Sequence, residues 1–147
     1  SNWFYYKRLG FLSCILDIFN RVFFSCWIPG RVKSGRGLVL GYGGLGIVIH
    51  HDIVLGERVH IDQQVTLGGN ATEKGVPVIG NDVYIGERSQ VKTSVILDGV
   101  VIKDDVIIEN SVIGENSTVS SNSRLSCVAL GDNEHINPKT NTENTLI

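Results

Sequence analysis

The sequence is poor in the residues that define several common classes of protein. It contains no methionine, three prolines and three cysteines among 147 residues. The number of cysteines is odd, which argues against a disulfide framework. The spacing of Cys14, Cys26 and Cys127 is not that of a zinc site, so we do not expect a metal cluster either. Charged residues interrupt every apolar run before it reaches the roughly 18 residues of a membrane span. This composition predicts one domain in a reducing, cytoplasmic setting.

The net charge and the share of apolar residues exclude further classes of protein. The formal net charge is −2, so we expect no nucleic-acid partner. Apolar residues make up 42% of the chain, which is enough for a packed core and too much for a disordered chain. Valine and isoleucine together number 34. This bias toward β-branched side chains favours strands and argues against a helical bundle.

The averages conceal two unlike parts. Residues 1–36 carry six Lys or Arg and one acid, whereas residues 37–147 carry seven Lys or Arg and fourteen acids. Nine of the eleven aromatic residues lie within residues 1–27. We therefore expect residues 1–30 to form a structure of their own.

A helical pattern occupies this first part. Phe11, Ile15, Phe19 and Phe23 recur every four residues, and the pattern ends before Ile28-Pro29-Gly30. The stripe predicts an amphipathic helix that packs on the rest of the protein or on a sister subunit. The alternative is an interfacial membrane helix, because basic and aromatic residues precede it: Trp3, Phe4, Tyr5, Tyr6, Lys7 and Arg8.

The second part is built from a six-residue repeat. Two series of residues, mostly aliphatic, each recur at this interval, and the second follows the first by four positions. The first series is Ile49, Leu55, Ile61, Leu67, Ile79, Ile85, Val91 and Leu97, and the second is Ile53, Val59, Val65, Val83, Ser89, Val95 and Val101. Beyond Leu97 the spacing alternates between five and six residues, through Ile102, Ile108, Ile113, Val119 and Leu125.

A six-residue period suits a chain that turns a corner after each short strand. Three such hexads close a triangular coil, and stacked coils pair their strands in parallel around an aliphatic interior. We therefore predict a mainly β protein, a left-handed parallel β-helix over residues 31–131, preceded by the helical segment. Residues 132–147 are rich in Asn and Thr and are predicted to be a loosely held polar tail.

Several blocks of sequence resemble the serine acetyltransferase-like branch of the hexapeptide-repeat acyltransferases. The matching blocks are Gly35-Arg36-Gly37-Leu38-Val39-Leu40, Gly46-Ile47-Val48-Ile49-His50, Gln64-Val65-Thr66-Leu67-Gly68-Gly69 and the segment from Pro77 to Gly86. Beyond residue 92 the sequence looks more like the β-helix that is appended to sugar nucleotidyltransferases. The 147 residues offer no room for the catalytic domain of those enzymes, so we do not expect nucleotidyl transfer.

The resemblance implies acetyl-CoA as co-substrate and direct acetyl transfer to a hydroxyl. It also shows three departures from the family pattern. Tyr42 stands where serine acetyltransferases keep a catalytic histidine, Trp27 where they keep its carboxylate partner, and Val76 where they keep a second histidine. Tyrosine is a poor base at neutral pH because its ordinary pKa is about 10.

His50, His51 and Asp52 are therefore the predicted catalytic group. Residues 18 apart lie on neighbouring coils, which places the two histidines beneath Gly68 and Gly69. Those glycines begin the one segment that interrupts the hexads, and a protruding loop above two histidines would form a concave site. Polar side chains at β-helix corners are often only solvated. His60 should face outward on another side and His135 lies in the polar tail, so both are weaker candidates.

The remaining expected site residues bind substrate or cofactor. Tyr42, Gln63 and Gln64 are predicted to contact the acceptor. Gly68, Gly69, Lys74 and Lys92 are predicted to contact acetyl-CoA, since glycine backbone amides suit an oxyanion and lysines suit phosphates. No metal is expected.

These observations together predict an acetyl-CoA-dependent O-acetyltransferase whose small-molecule acceptor is L-serine or a sugar. The alternative is a catalytically degenerate β-helix that serves as a scaffold or regulatory protein. The flat faces of the coil and the resemblance predict a homotrimer. We expect a cytoplasmic protein without a nucleic-acid partner, with peripheral contact to the inner membrane face through residues 1–27 as a further alternative.

Overall fold

The computed structural model describes residues 10–69 and 75–147. One helix, α1 (Gly10–Phe24), precedes eighteen strands of two or three residues each, and a short 3-10 turn (Gly41–Gly44) follows the second of them. The strands are β1 (Lys33–Ser34), β2 (Val39–Leu40), β3 (Val48–Ile49), β4 (Val54–Leu55), β5 (His60–Ile61), β6 (Thr66–Gly68), β7 (Val78–Ile79), β8 (Tyr84–Ile85), β9 (Gln90–Lys92), β10 (Val95–Ile96), β11 (Val101–Ile102), β12 (Ile107–Glu109), β13 (Val112–Ile113), β14 (Thr118–Val119), β15 (Arg124–Ser126), β16 (Ala129–Leu130), β17 (His135–Ile136) and β18 (Asn141–Glu143).

The strands form three parallel six-stranded sheets, which are the faces of a triangular prism. Strands β1, β4, β7, β10, β13 and β16 form the first face. The second face contains β2, β5, β8, β11, β14 and β17, and the third contains β3, β6, β9, β12, β15 and β18. Every third strand therefore belongs to the same face. This confirms the predicted left-handed parallel β-helix, with six coils in the described part of the chain.

The repeat folds this way because one side chain of each strand points inward. Ile49, Ile61, Leu67, Ile85 and Val91 are all fully buried. Their neighbours in the same strands are half-buried or exposed. Stacked aliphatic columns thus fill the prism, and each inward Ile, Val or Leu contributes about 1.5–3 kcal/mol through removal of its surface from water.

The phase of the repeat changes at the end of β9, one step earlier than predicted. Ile96 and Ser94 are buried, whereas Leu97 is only half-buried and Val95 is exposed. The reason is a tighter corner. A single left-handed residue, Thr93 (φ 46°), turns the chain there, so the next inward aliphatic side chain comes five residues after Val91. Val100 is buried and Val101 is half-buried, so the assignment of Leu97, Val95 and Val101 to the inward columns was wrong.

The serine after this tight corner compensates for the shorter turn. The Ser94 hydroxyl donates to the Lys92 carbonyl oxygen and accepts the Ser111 amide of the next coil. Ser111 repeats the pattern with Glu109 and Val128. Because the corner is one residue shorter, some backbone groups lack a backbone partner, and these buried hydroxyls form hydrogen bonds with them.

The C-terminal segment continues the prism. Strands β17 and β18 pair in parallel with β14 and β15, and Leu146 bridges to Ala129. Residues 132–147 are therefore not a loose tail. Their polar composition reflects a last coil with one side open to water, because only Ile136 is buried in this segment.

Helix α1 presents its polar side to the prism. Leu16, Asp17 and Asn20 are half-buried, and Asp17 accepts a hydrogen bond from the Gly30 amide at 3.3 Å. The apolar stripe points away: Phe11, Ile15, Phe19 and Phe23 are all exposed. The expectation that the stripe packs on the rest of the protein is therefore wrong in the described chain. Trp3 to Arg8, which suggested an interfacial helix, lie outside the described residues.

No helix among residues 10–69 and 75–147 combines the length and apolar character that a bilayer crossing requires.

Candidate functional site

The predicted catalytic residues lie at one corner of the prism, between the third and first faces. We call residues 50–52 the histidine corner. β3 ends at Ile49, whose buried side chain anchors the turn, and β4 begins at Val54. The chain must therefore turn from the third face to the first over three polar residues, which leaves His50 half-buried and His51 and Asp52 exposed.

The two imidazoles of this corner have different hydrogen-bond partners. His51 Nε2 lies 3.0 Å from Asp52 Oδ2, and the two rings stack with centroids 4.1 Å apart. His50 Nδ1 instead accepts the Asp52 amide at 3.2 Å. Neutral imidazole has one protonated nitrogen. With Nε2–H donated to Asp52, His51 keeps Nδ1 as a free acceptor, whereas His50 carries its proton on Nε2.

Arg31 fixes the carboxylate from the preceding coil. Its guanidinium lies 3.0 Å from Asp52 Oδ1, so each oxygen of Asp52 has a cationic or donor partner. His50, His51 and Asp52 offer ligand atoms within 4.8 Å of one another. The adjacent guanidinium opposes a bound cation, and the arrangement suits a dyad of His51 and Asp52 better than a metal centre. Sequence reasoning had missed Arg31, which the pairing of Lys33 with Val54 places beneath Asp52.

Gly68 lies on the coil above the histidines, as the 18-residue spacing predicts. Ile49 pairs with Leu67, and the His50 amide donates to the Leu67 carbonyl at 2.9 Å. A side chain built on Gly68 would meet no described atom within 4 Å, so the surface beside the histidine corner is open there. Gly69 and Gly75 approach each other closely at the base of the loop. Lys74 lies outside the described residues.

Lys92 follows Gly68 in the same column, but it has a partner. Gly68 pairs with Lys92 across β6 and β9. The Lys92 ammonium donates to Glu109 at 2.8 Å, and Arg124 lies 3.1 Å from the same carboxylate. These two cations hold the pKa of Glu109 below its usual range, mainly through the Lys92 hydrogen bond. A phosphate group would have to compete with Glu109 for this lysine.

The predicted acceptor-binding residues lie at another corner. Tyr42, Gln63 and Gln64 stand between the second and third faces, and we call residues 41–44 together with 62–64 the tyrosine corner. β6 separates Gln64 from Gly68, a span of about 13 Å at 3.3 Å per residue. The structure therefore does not bring the two predicted groups together within one chain.

The other two histidines are on the second face. His60 lies in β5 and His135 in β17, the last strand of that face. His135 Nε2 is 3.3 Å from the Ser120 hydroxyl. Neither histidine reaches the histidine corner.

An open depression of about 490 Å³ lies at the start of the third face and was not anticipated. Arg21, Ser25, Trp27 and Val48 line it, and the Arg21 guanidinium is 5.5 Å from the centroid of the Trp27 ring. Val48 lies in β3, which ends at Ile49, directly before the histidine corner. The depression thus lies on the strand that leads into the histidine corner.

The sequence of this chain is similar to those of several serine acetyltransferases. The serine acetyltransferase of Bacillus pumilus is 34% identical over 94 residues, covering 63% of this chain and 43% of that protein. That of Synechococcus elongatus is 29% identical over 93 residues, covering 62% of this chain and 38% of that protein. The chain thus spans less than half the length of these curated relatives.

A solved structure agrees with the fold. The serine acetyltransferase of Neisseria gonorrhoeae in complex with serine superposes with a TM-score of 0.65 at 23% sequence identity. The match covers 91% of this chain and 48% of the other. This confirms the β-helical fold, and the sequence relatives confirm the resemblance to serine acetyltransferases as hexapeptide-repeat proteins.

A protein-family model covers most of the prism. The model of the GMPPB C-terminal domain matches residues 44–147, which include the histidine corner and sixteen of the eighteen described strands, β3 to β18. The match agrees with the change of sequence character beyond residue 92. The chain belongs to the GMPPB C-terminal domain family.

Proposed function

We propose that the chain is an acetyl-CoA-dependent O-acetyltransferase that acts on a hydroxyl of L-serine or a sugar. One observation carries the proposal: His51 is paired with Asp52, Asp52 is held by Arg31, and the open backbone of Gly68 lies one coil above. The similarity to serine acetyltransferases supports the same chemistry. A base, a group that orients it and an accessible amide surface are what acyl transfer to a hydroxyl requires.

His51 is the general base in this mechanism. Its free Nδ1 removes the proton of the acceptor hydroxyl as the oxygen attacks the thioester carbonyl carbon. Asp52 stabilises the imidazolium that forms, as its carboxylate already accepts from Nε2. When the carbon–sulfur bond breaks, the imidazolium returns the proton to the departing thiolate, so CoA leaves as the free thiol. A base placed in this way typically contributes about 10²–10⁴ in rate.

His50 supports the reaction as a donor. Its Nδ1 accepts the Asp52 amide, so the proton on Nε2 is available to the oxyanion or to the acceptor. The stacked rings hold His51 in place at the same time. The amide of Gly69 is a second donor for the oxyanion.

The acetyl-CoA arm is proposed to follow the third face. Gly68 leaves room for it among the described residues, and Lys92 supplies positive charge in competition with Glu109. Lys74, six residues after Gly68 in the sequence, is proposed to supply a second positive charge. The depression lined by Arg21 and Trp27 adds an aromatic wall and a guanidinium next to the histidine corner. These groups match a ligand that carries both an apolar arm and phosphates.

Release of free thiol tests the proposal. The protein is incubated with acetyl-CoA and a panel of L-serine, sugars and nucleotide sugars. We expect turnover that falls about 10²–10⁴-fold in His51→Ala and less in His50→Ala. His135→Ala, a histidine remote from the corner, is the matched control and should leave turnover unchanged. A loss confined to Tyr42→Phe would overturn the assignment of the base.

A catalytically degenerate scaffold is the second candidate. Tyr42, Trp27 and Val76 occupy the positions where the family keeps its chemistry, and Tyr42 is 82% exposed at a corner away from the histidines. Absence of both turnover and thermal stabilisation by CoA would favour this function. Stabilisation by CoA without turnover would indicate a binding protein that has lost catalysis.

We further propose that the first face joins three copies into a homotrimer. Val54, Val78, Val95 and Val112 stack in register on this face and are each 37–45% exposed. Such a flat aliphatic stripe suits a repeated contact with a second copy. The histidine corner borders the face, so the acceptor would be held beside a subunit boundary.

The location that we propose is cytoplasmic, with peripheral contact to the inner membrane face through residues 1–27. The outward apolar stripe of α1 supports this, since its polar side is already occupied by the prism. Residues 1–36 carry five more basic than acidic residues, which favours an anionic lipid surface.

A further inference from the structure

The first turn of the prism, residues 26–40, has an open interior. Its six inward positions lie one coil before the buried Ile47, Ile49, Ile53, Leu55, Val59 and Ile61, and they are Cys26, Ile28, Val32, Ser34, Leu38 and Leu40. All six line a cavity of about 240 Å³, and Asn20 and Phe24 of α1 line its other side. We call this space the end cavity. It is the unfilled end of the aliphatic core that runs through the described part of the prism.

A polar residue stands at one of these inward positions. Ser34 pairs with Leu55, and the same column of the first face continues through Ile79, Ile96, Ile113 and Leu130, all of which are buried. Ser34 is exposed instead. Its small side chain leaves the space that a leucine or isoleucine takes up in each of the following coils.

Helix α1 is a wall of the end cavity and does not fill it. The Cys26 amide donates to the Asn20 carbonyl oxygen at 3.4 Å, and the Gly46 amide donates to that of Phe24 at 3.2 Å. These backbone hydrogen bonds hold the end of the helix beside the first turn. The large apolar side chains of the helix point away from the prism, so they do not occupy the cavity.

The size and the lining of the end cavity suit an alkyl chain. An apolar cavity of roughly 150 Å³ already admits a guest as large as benzene, and the end cavity is larger. No charged side chain lines it among the described residues. Burial raises the pKa of the Cys26 thiol, so this group is neutral at pH 7. Each methylene group that moves from water into such a space adds to the affinity.

Two basic side chains flank Ser34 in the sequence. Lys33 and Arg36 are exposed, and neither has an ion-pair partner in the part of the chain that the structure describes. Arg31, which also belongs to this turn, is already paired with Asp52. Unpaired cations beside an apolar opening favour a ligand whose polar end is an anion.

We propose that the end cavity binds the alkyl chain of an anionic amphiphile such as a fatty acid. The chain enters past Ser34 and packs on Val32 and Leu38, and its carboxylate lies near Lys33 and Arg36. No residue of the histidine corner lines the cavity among the described residues. The site is therefore separate from the proposed acetyl transfer and does not depend on it.

Methyl resonances test where the chain of the ligand lies. The full-length protein, labelled at the methyl groups of Ile, Leu and Val, is titrated with decanoate below its critical micelle concentration. We expect saturable shifts of the Val32, Leu38 and Leu40 signals. Leu130, at the other end of the core, should not move.

A second arm distinguishes the two sources of such a chain. The same spectra are recorded with bicelles that contain an anionic phospholipid. Shifts of the cavity methyl groups with decanoate would identify a free amphiphile as the ligand, and shifts with bicelles alone would identify a chain of a bilayer lipid. Shifts confined to the exposed apolar stripe of α1 in both arms, or no shift of the cavity methyl groups in either, would overturn the proposal.

Ser34→Leu tests the cavity by filling it. The variant restores the leucine that the next coil carries, so we expect the affinity for decanoate to fall about tenfold or more, because several methylene groups lose their place. Its urea midpoint should not fall, which separates lost binding from misfolding. Ser126→Leu, at an outward position of the third face, is the matched control and should bind as the parent does. Unchanged affinity in Ser34→Leu would contradict the site.

Neutralising the two cations tests the headgroup. Lys33→Gln with Arg36→Gln should lower the affinity for decanoate about two- to tenfold and leave that for decanol unchanged, since exposed charges contribute modestly. Lys103→Gln with Lys139→Gln removes two exposed lysines elsewhere and is the control. Unchanged binding of decanoate in the first variant would refute the anionic headgroup.

The outcome is distinguishable from that of the proposed acetyl transfer. His51→Ala should bind decanoate as the parent does. Binding of decanoate in a protein without turnover would support this inference and refute the proposed function. Turnover without binding of either amphiphile would do the reverse.

Discussion

At the scale of single residues, two glycines with similar sequence context differ in what surrounds them. A Cβ on Gly56 would lie 2.5 Å from the carbonyl group of Gly80, whereas one on Gly68 would meet no described atom within 4 Å. Backbone at 2.5 Å cannot yield without separating two coils. The position of Gly56 is therefore dictated by stacking, and that of Gly68 leaves open space for a ligand.

Alanine substitutions should reproduce this difference. We expect Gly56→Ala to lower the free energy of unfolding by about 1–3 kcal/mol, through overpacking between coils. Gly68→Ala should change it by less than about 0.5 kcal/mol. Urea unfolding followed by circular dichroism measures both. Equal losses in the two variants would show that Gly68 is also needed for packing.

Glu109 makes the stability of the prism depend on pH. Lys92 and Arg124 lower the pKa of its carboxyl in the folded protein. The folded state therefore binds this proton less readily than the unfolded state, whose carboxyl has a pKa of about 4.3. The stabilisation is present above that value and is lost as the pH falls through the lower folded pKa.

Glu109→Gln should remove this contribution. We expect the variant to be less stable than the parent at neutral pH and to lose less stability as the pH falls from about 5 to about 3, below the ordinary pKa of glutamate. Urea midpoints at these pH values measure the difference. Glu115→Gln, an exposed acid on a corner of the prism, is the control. Parallel pH profiles for Glu109→Gln and the parent would contradict the assigned role.

At the scale of elements, the strands were more predictable than the corners. Inward residues such as Ile49 and Leu67 repeat at a fixed interval because a strand alternates its side chains, and this pattern is visible in the sequence. The prediction put the first five-residue step after Leu97, whereas it occurs at Thr93, one side of the coil earlier. The corner there is one residue shorter and is formed by a left-handed threonine, so no glycine or proline marks it in the sequence.

The sequence predicts the candidate site only where the register between neighbouring coils sets the position of a residue. The position of His50 opposite Gly68 follows from coil length, and the structure has that register. The hydrogen bonds that distinguish His50 from His51 depend on ring orientation and on Arg31 of another coil, which no local pattern encodes. The hydrogen bond from the Tyr84 hydroxyl to Asp62 was equally unpredictable, since Tyr84 comes from the next coil.

Helix α1 is the element whose role depends most on what lies outside the chain. Phe19 and Phe23 are exposed and contact each other with tilted rings whose centroids are 4.3 Å apart. Phe19→Asp with Phe23→Asp should abolish co-sedimentation with vesicles of anionic phospholipid and leave the circular dichroism unchanged, because neither ring packs on the prism. The parent should also bind less as salt rises.

The matched control for the helix is Val39→Asp, which places a charge at an exposed valine of the second face. It should bind vesicles as the parent does. Undiminished binding of the helix variant would refute the membrane contact. The stripe would then be available to a sister subunit, the other partner considered for it.

At the scale of the whole molecule, the three faces differ in what they offer to a partner. The second face carries His60, Tyr84 and His135, and the third carries the column of Gly68, Lys92 and Glu109. The first face presents valines in four successive strands from β4 to β13. A solvated aliphatic stripe of this length is unfavourable in a monomer, and its burial against a second copy would remove it from water.

The valine face therefore predicts the assembly. Val78→Glu with Val95→Glu places two charges at the centre of the stripe, and we expect the parent to be a trimer and the variant a monomer by light scattering. Acetyl transfer should fall, because the histidine corner borders the first face and would lose its neighbouring subunit. Val39→Glu on the second face is the control and should remain a trimer. A variant that stays trimeric would show that another face, or the stripe of α1, joins the subunits.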